Sequence, residues 1–211
     1  TPIRDYGIIG NLRSAVLVSK EGSIDWAPAP FVDSPSVFGA ILDHEKGGHW
    51  SVKPTQPYTT RQFYIENSNV LVTEFTTESG VLEVTDFLPL EKVKCIKGSV
   101  PVRVEFAPRF DWGRGTTELK NIERGILAQN GTLHGVLATT KEFFIDDEAG
   151  MATAEFTLQS GRFTFLVFQY NVGTVDLEKD DDDQHNEELK ETIEYWKKWV
   201  MSSDVDNICM L

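Results

Sequence analysis

Cysteine is nearly absent from the chain: Cys95 and Cys209 are the only two in 211 residues. They lie far apart, so they build no disulfide framework, and their usage fits a reducing, cytoplasmic compartment. Positive charge is scarce as well, with 20 Lys and Arg against 33 Asp and Glu and a net charge of −13. Phosphate-backbone binding rests on Lys and Arg, so the balance argues against a nucleic-acid partner. No apolar run approaches the roughly 18 residues of a spanning helix, so no membrane partner is expected. Thr1 to Tyr6 show no basic-then-apolar leader pattern. Of the histidines, only His44 and His49 are near each other, and no Cys or compact carboxylate set joins them. A metal site is therefore not expected. A phosphate-binding glycine loop and a G-x-S-x-G elbow are missing too, and no cofactor is expected.

What is present is the composition of a globular domain, 40% hydrophobic and 25% charged, with 13 Phe and 5 Trp for a core. Most of the chain alternates apolar and polar residues. NVLVTEF, VLEVTDF and VPVRVEF carry Val70, Val72, Val84, Val102 and Val104 in phase, with Ser79-Gly80, Pro89, Gly98 and Pro101 as punctuation. Further strands are expected at Thr132, Met151 and Arg162, separated by Gly131, Gly150 and Gly161. In RFTFLVFQY, Phe163, Phe165 and Val167 point one way and Leu166, Phe168 and Tyr170 the other. A strand apolar on both faces belongs in a sheet centre with cover on each side. The expected fold is all-β, a large antiparallel β-sandwich over residues 1–175.

Two helices are expected beside it. Ser34-Pro35 reads as an N-cap with Pro at the first helical position, followed by a short apolar stripe of Val37, Phe38, Ile41 and Leu42. A second helix is expected from about Gln184 to Val200, where Leu189, Ile193, Trp196 and Val200 recur at helical spacing. Acidic residues crowd its start and Lys197-Lys198 its end, as the helix dipole favours. The acidic run from Asp176 reads as a solvated linker, so residues 176–211 form a linker and helix rather than a second globular unit.

Gly22 to Trp50 holds the densest special chemistry. Asp25-Trp26 reads as an aromatic platform with a carboxylate, the pairing that a sugar ring favours, or as a core Trp beside a turn-forming Asp. Asp33 caps a turn or points a carboxylate into a groove. Arg13 pairs with a carboxylate or a sugar hydroxyl, or forms a strand-edge salt bridge. Phe110 to Gly115 is a second aromatic-polar loop, and its Trp112 either faces ligand or anchors the loop.

Several of these segments, taken in order, carry a resemblance. They are Ile3 to Asn11 with Arg13, then GSIDW from Gly22, Pro30 to Asp43 with Val32 inside, and GGHW ending at Trp50. Asn69-Val70-Leu71, Glu74-Phe75, Thr85 to Pro89, Pro108 to Arg114, and Thr192 with Trp196 and Trp199 continue the series. Together they resemble the N-terminal part of glycoside hydrolase family fifteen, the bacterial and archaeal glucoamylase and trehalase-like enzymes. The resemblance implies a sandwich of the supersandwich type followed by an α/α-barrel. In that family the barrel carries two glutamates, a general acid and a general base, for inverting hydrolysis of α-glucosidic bonds. No position here matches the motifs around those glutamates, so no catalytic residue is carried over, and this chain alone is expected to be inactive.

The expected role is therefore support of a catalytic barrel. Trp26, Phe31 and Asp33, with Arg13 and Asp25 behind them, are the candidate wall of its α-glucoside pocket. Two other classes remain open. A stand-alone carbohydrate-binding module would use Trp26 or Trp112 as an exposed platform. A structural docking domain would expose an apolar face, to which Trp196 and Trp199 contribute, and would self-associate.

Overall fold

The computed structural model describes residues 1–88, 90–171 and 182–202. Among them are fifteen strands. In chain order they are β1 (Tyr6–Gly10), β2 (Ala15–Ser19), β3 (Ser23–Pro28), β4 (Ser36–Phe38) and β5 (His49–Pro54). Next come β6 (Tyr58–Tyr64), β7 (Leu71–Thr77), β8 (Gly80–Phe87), β9 (Leu90–Ala107) and β10 (Glu118–Ile122). The last are β11 (Gly125–Asn130), β12 (Leu133–Ala138), β13 (Phe144–Asp146), β14 (Met151–Gln159) and β15 (Phe163–Tyr170). A helical turn, α1 (Phe110–Gly113), interrupts them, and a long helix, α2 (Asp182–Ser202), follows them.

All pairings are antiparallel, and β9 belongs to both layers. Its first half, to Gly98, lies between β8 and β15 in the layer that runs β6-β7-β8-β9-β15-β12-β11-β10. Its second half lies between β5 and β14 in the other layer, β1-β2-β3-β5-β9-β14-β13. The change of layer falls at Gly98, whose φ is +79°. A Cβ there would stand 2.0 Å from the Ser79 carbonyl oxygen, so only glycine lets the hairpin partner approach. Alternation alone predicts a strand bracketed by Gly98 and Pro101. Instead the strand runs through both, because each half finds a different pair of neighbours.

The layers meet through aromatic rings. Trp50 and Phe106 from one layer, Phe168 from the other and Phe38 from β4 form a cluster with centroids 5.7 to 6.4 Å apart. The cluster sits in a continuous core with Val52, Val104, Leu82, Val93 and Leu166. Each fully buried Phe contributes about 1.5–3 kcal/mol of transfer free energy. β15 is central, as its two-sided pattern requires. Leu166 and Phe168 face this core, while Phe165 and Val167 face a second cluster covered by Leu189 and Ile193 of α2.

The helix expected at Ser34-Pro35 is a strand instead. Ser36–Phe38 is β4, pairing with Ala27 and Pro28 of β3, and all three of its residues are buried. Ser34 caps no helix; its Oγ accepts a hydrogen bond from the Phe31 N–H at 3.1 Å. The Gly39 N–H is taken by the Gly47 carbonyl at 2.7 Å. Cap and stripe are local signals, and burial of Val37 and Phe38 against Phe106 and Trp50 outweighs them. The internal helical turn lies instead at α1. The acidic run expected as a linker falls mostly outside the described residues.

Candidate functional site

The five residues singled out from sequence take three kinds of position. Asp25 is buried at 9% exposure, and its carboxylate accepts hydrogen bonds from Tyr6 Oη and Ser23 Oγ, each at 2.6 Å. It marks a bulge: Leu17 pairs with Trp26 and Val18 with Ile24, which leaves Asp25 as the extra residue. Burial, and then the Asp25 carboxylate, raise the Tyr6 hydroxyl well above its usual range. Asp25 therefore holds the start of the chain to β3.

The bulge also turns Trp26 outward. Val16 and Val18 face the core, so Leu17 faces away from it, and Trp26 lies opposite Leu17, with Ile8 next in the row. Trp26 is half-buried there. Tyr64 clamps the edge of this row, donating to the Ile8 carbonyl and accepting from its N–H at 2.9 and 2.7 Å. Arg13, Phe31 and Asp33 are exposed on loops. The Val32 N–H donates to the Arg13 carbonyl at 2.8 Å, which ties the Arg13 loop to the Phe31–Asp33 loop. Arg13, Phe31 and Asp33 are thus neighbours. Asp25 is not part of their exposed surface.

The second aromatic loop is held in an uncommon conformation. Asp111, Trp112 and Gly113 take φ values of 53°, 54° and 71° in succession. Two non-glycine residues in this region store strain that the surroundings must offset. Arg109 supplies part of that: its guanidinium donates to the carbonyls of Pro108, Ala149 and Gly150 at 2.7 to 3.0 Å. Trp112 is 43% exposed, with the Arg114 guanidinium 5.2 Å from its ring centre.

A groove of about 790 Å³ opens elsewhere, between α2 and the β12–β15 layer. Phe87, Leu90, Ala138 and Val167 form its apolar floor, and Trp196 and Tyr195 stand on the helix side. Asn11, Asn69, Gln169, Gln184, Glu188 and Glu191 supply its polar rim. None of the five residues chosen from sequence lines it, although Asn11 sits at the start of the Arg13 loop. Sequence alone does not reveal this groove, because it draws on six separated segments. Within α2, Glu188 accepts from Gln184 at 2.9 Å and lies 2.9 Å from the His185 ring nitrogen.

Two carboxylate clusters on β9 contrast sharply in electrostatics. Glu91 lies opposite Asp86 of β8, and both are buried. They line a small apolar cavity of about 50 Å³ with Trp50, Phe38 and Phe168. With both carboxyls ionised, the Asp86 oxygens and Glu91 Oε2 have no donor among the described residues, and Trp50 Nε1 has no acceptor. Once one acid is protonated, the two carboxyls hydrogen-bond to each other. Burial pushes the Asp86 carboxyl up to about 7. Burial, and next the charge of Asp86, push Glu91 well above the usual carboxylate range. Alternation puts Asp86 in phase with Leu82 and Val84, and Glu91 with Val93 and Cys95; that was the available signal for this pair. At the far end of β9, Glu105 faces Arg103 Nε at 2.8 Å, His49 Nε2 at 3.3 Å and Lys53 Nζ at 3.7 Å. The hydrogen bond from His49, and then that from Arg103, hold it well below the usual carboxylate range against the opposing effect of burial.

A two-layer antiparallel sandwich with a closing helix defines a β-sandwich domain. Residues 1–196 match the family model described as "Trehalase-like, N-terminal", and the chain belongs to that family. It is 29% identical over 216 residues to a trehalase of Thermoplasma volcanium, covering 95% of this chain and 34% of that protein. It is 38% identical over 129 residues to trehalase 2 of Sulfolobus acidocaldarius, covering 60% of this chain and 22% of that one. A trehalase of Mycobacterium tuberculosis is 27% identical over 235 residues, covering 94% and 34%. The chain thus spans about a third of the length of the first of these relatives. Among solved structures, a chain provisionally described as a kojibiose phosphorylase from human microbiome overlaps 94% of this chain and 33% of its own, at 10% identity and a TM-score of 0.42.

Proposed function

We propose that this chain is the non-catalytic N-terminal domain of a trehalase- or glucoamylase-like α-glucosidase. Its loops wall the substrate pocket of an α/α-barrel that supplies the general acid and base. The observation that carries the reading is the match of residues 1–196 to the trehalase-like N-terminal family model, together with similarity over about a third of the length of a protein called a trehalase. The Arg13–Val32 backbone bridge supports the wall, because it ties the loop of Arg13 to the loop that carries Phe31 and Asp33, while the bulge in β3 turns Trp26 outward. An exposed ring stacks on the apolar face of a pyranose, and a carboxylate accepts its hydroxyls. Trp199, about half exposed on α2 and outside the groove lining, would be covered by the barrel. The same reading places the protein in the cytoplasm and needs no metal or organic cofactor.

The test is a chimera in which this chain replaces the matching third of the Thermoplasma volcanium trehalase, with trehalose hydrolysis as the readout. Phe31→Ala and Asp33→Ala should each raise KM by about tenfold, the loss of one good contact, with the melting temperature unchanged. Unchanged KM in both variants would remove the wall. Glucose release by the isolated chain would remove the non-catalytic role.

A further inference from the structure

We infer that the groove between α2 and the β12–β15 layer is a separate binding site for a neutral sugar, formed by this chain alone. Its volume, about 790 Å³, falls within the roughly 300–1,000 Å³ of small-molecule sites. Its chemistry selects the ligand class. The floor is apolar and the helix side carries Tyr195 beside its polar residues, which suits the C–H face and hydroxyl edge of a pyranose. The rim combines amides, which both donate and accept, with carboxylates, which only accept. A ring of hydroxyls is the group that meets both needs at once. Among the described residues no Lys or Arg lines the groove, while Glu188 and Glu191 do, and the one lining imidazole, His185, lies 2.9 Å from Glu188, so phosphorylated and other anionic ligands are disfavoured.

Unused hydrogen-bonding capacity points the same way. Asn69 lines the groove and its Oδ1 is enclosed with no partner among the described residues, so a turn of the carboxamide toward the groove would let it meet a donor there. The Gln169 amide has no side-chain partner among the described residues either, and the Tyr195 side chain has only its ring contact with Trp196, centroids 5.5 Å apart. Acceptor, amide and aromatic hydroxyl thus stand around one apolar floor. This site differs from the loop surface of Arg13, Phe31 and Asp33, and it requires no barrel.

Calorimetric titration of the chain with trehalose and with maltotriose tests it. Binding of at least one is expected. Tyr195→Ala and Gln169→Ala should each weaken it by about tenfold or more, as loss of a stacking or hydrogen-bonding group does. Trp26→Ala and Trp112→Ala should change it by less than about twofold, a difference well under 1 kcal/mol. The circular dichroism of each variant should match the parent. Absence of binding by the folded chain would overturn the inference, as would binding lost with Trp26 or Trp112 but kept without Tyr195 and Gln169. Heat observed with spermidine but with neither sugar would overturn it in favour of a cation. The chimera result for Phe31 and Asp33 is independent of every one of these outcomes.

Discussion

Glu91 and Glu105 are the same residue type on one strand, near its opposite ends, and the fold treats them in opposite ways. Glu91 faces Asp86 inside the sandwich, where the rest of the cavity lining is apolar apart from the Trp50 N–H. Glu105 faces a guanidinium, an ammonium and an imidazole on the outer side of the other layer. The first site resists ionisation and the second requires it. The lesson is that strand position sets nothing by itself. The partners that neighbouring strands bring decide whether a carboxyl stabilises the fold charged or neutral.

The buried pair should give the larger effect. A carboxyl whose folded pKa is raised contributes stability that is present below its unfolded value, near 4, and is lost as pH rises through its folded value. For Asp86 that folded value is about 7. Among the described residues no other titratable side chain lines the cavity, so the hydrogen bond with Glu91 is all that opposes the effect of burial on Asp86. The double variant Asp86→Asn/Glu91→Gln keeps the shape and removes the ionisation. By denaturant unfolding at pH 8 it should exceed the parent by on the order of 2–4 kcal/mol, and at pH 4 the two should agree within about 1 kcal/mol. A variant less stable than the parent at both pH values would mean that the acids have partners of their own, and the contrast with Glu105 would collapse.

Glu105 should show the reverse sign. A carboxyl whose folded pKa is depressed contributes stability that is present above its unfolded value, near 4.3, and is lost as pH falls toward its folded value. His49, Arg103 and Lys53 all favour the charged form. Partial exposure and salt screen the gain, so Glu105→Gln should cost about 1–2 kcal/mol at pH 7. The cost should shrink steadily as pH is lowered toward about 2, well below the unfolded carboxylate value. A cost that does not change with pH would assign Glu105 a packing role.

Sequence alternation made most of the fold legible, and it fails at points with a common cause. The strand at Phe163–Tyr170 was readable, including its two buried faces, because side-chain period and burial agree there. The helix at Asp182–Ser202 was readable from Leu189, Ile193 and Trp196. Ser34-Pro35 misleads because its cap is a local signal, whereas β4 is made by β3 and by the core beneath it. Asp86 and Glu91 were in phase with core positions, yet a carboxyl reads as surface unless a partner strand is known to cover it. The candidate site was half legible. Residue chemistry pointed to Trp26, Phe31 and Asp33, but the Val32–Arg13 bridge and the outward turn of Trp26 come from long-range pairing and a bulge. The groove at α2 could not be read at all, since none of its segments is distinctive alone.

The smallest effect is expected where a carboxylate has a single partner and that partner is exposed. Arg61 and Glu74 lie directly opposite each other on β6 and β7, with nitrogen and oxygen 3.4 Å apart. The Arg61 side chain is 68% exposed, and its guanidinium also lies 4.7 Å from the centre of the Phe63 ring. Water therefore competes for both ions, and the arginine keeps a second contact when the carboxylate is removed. Glu74→Gln should change stability by less than about 0.5 kcal/mol, and the change should vanish in high salt, where exposed pairs are screened. Comparing this variant with Glu105→Gln in one buffer sets a carboxylate with one exposed partner against a slightly more buried one with three. If Glu74→Gln costs as much as Glu105→Gln, then partial burial and multiple partners do not distinguish the two sites. The ranking from Asp86 and Glu91 through Glu105 to Glu74 would then need another cause.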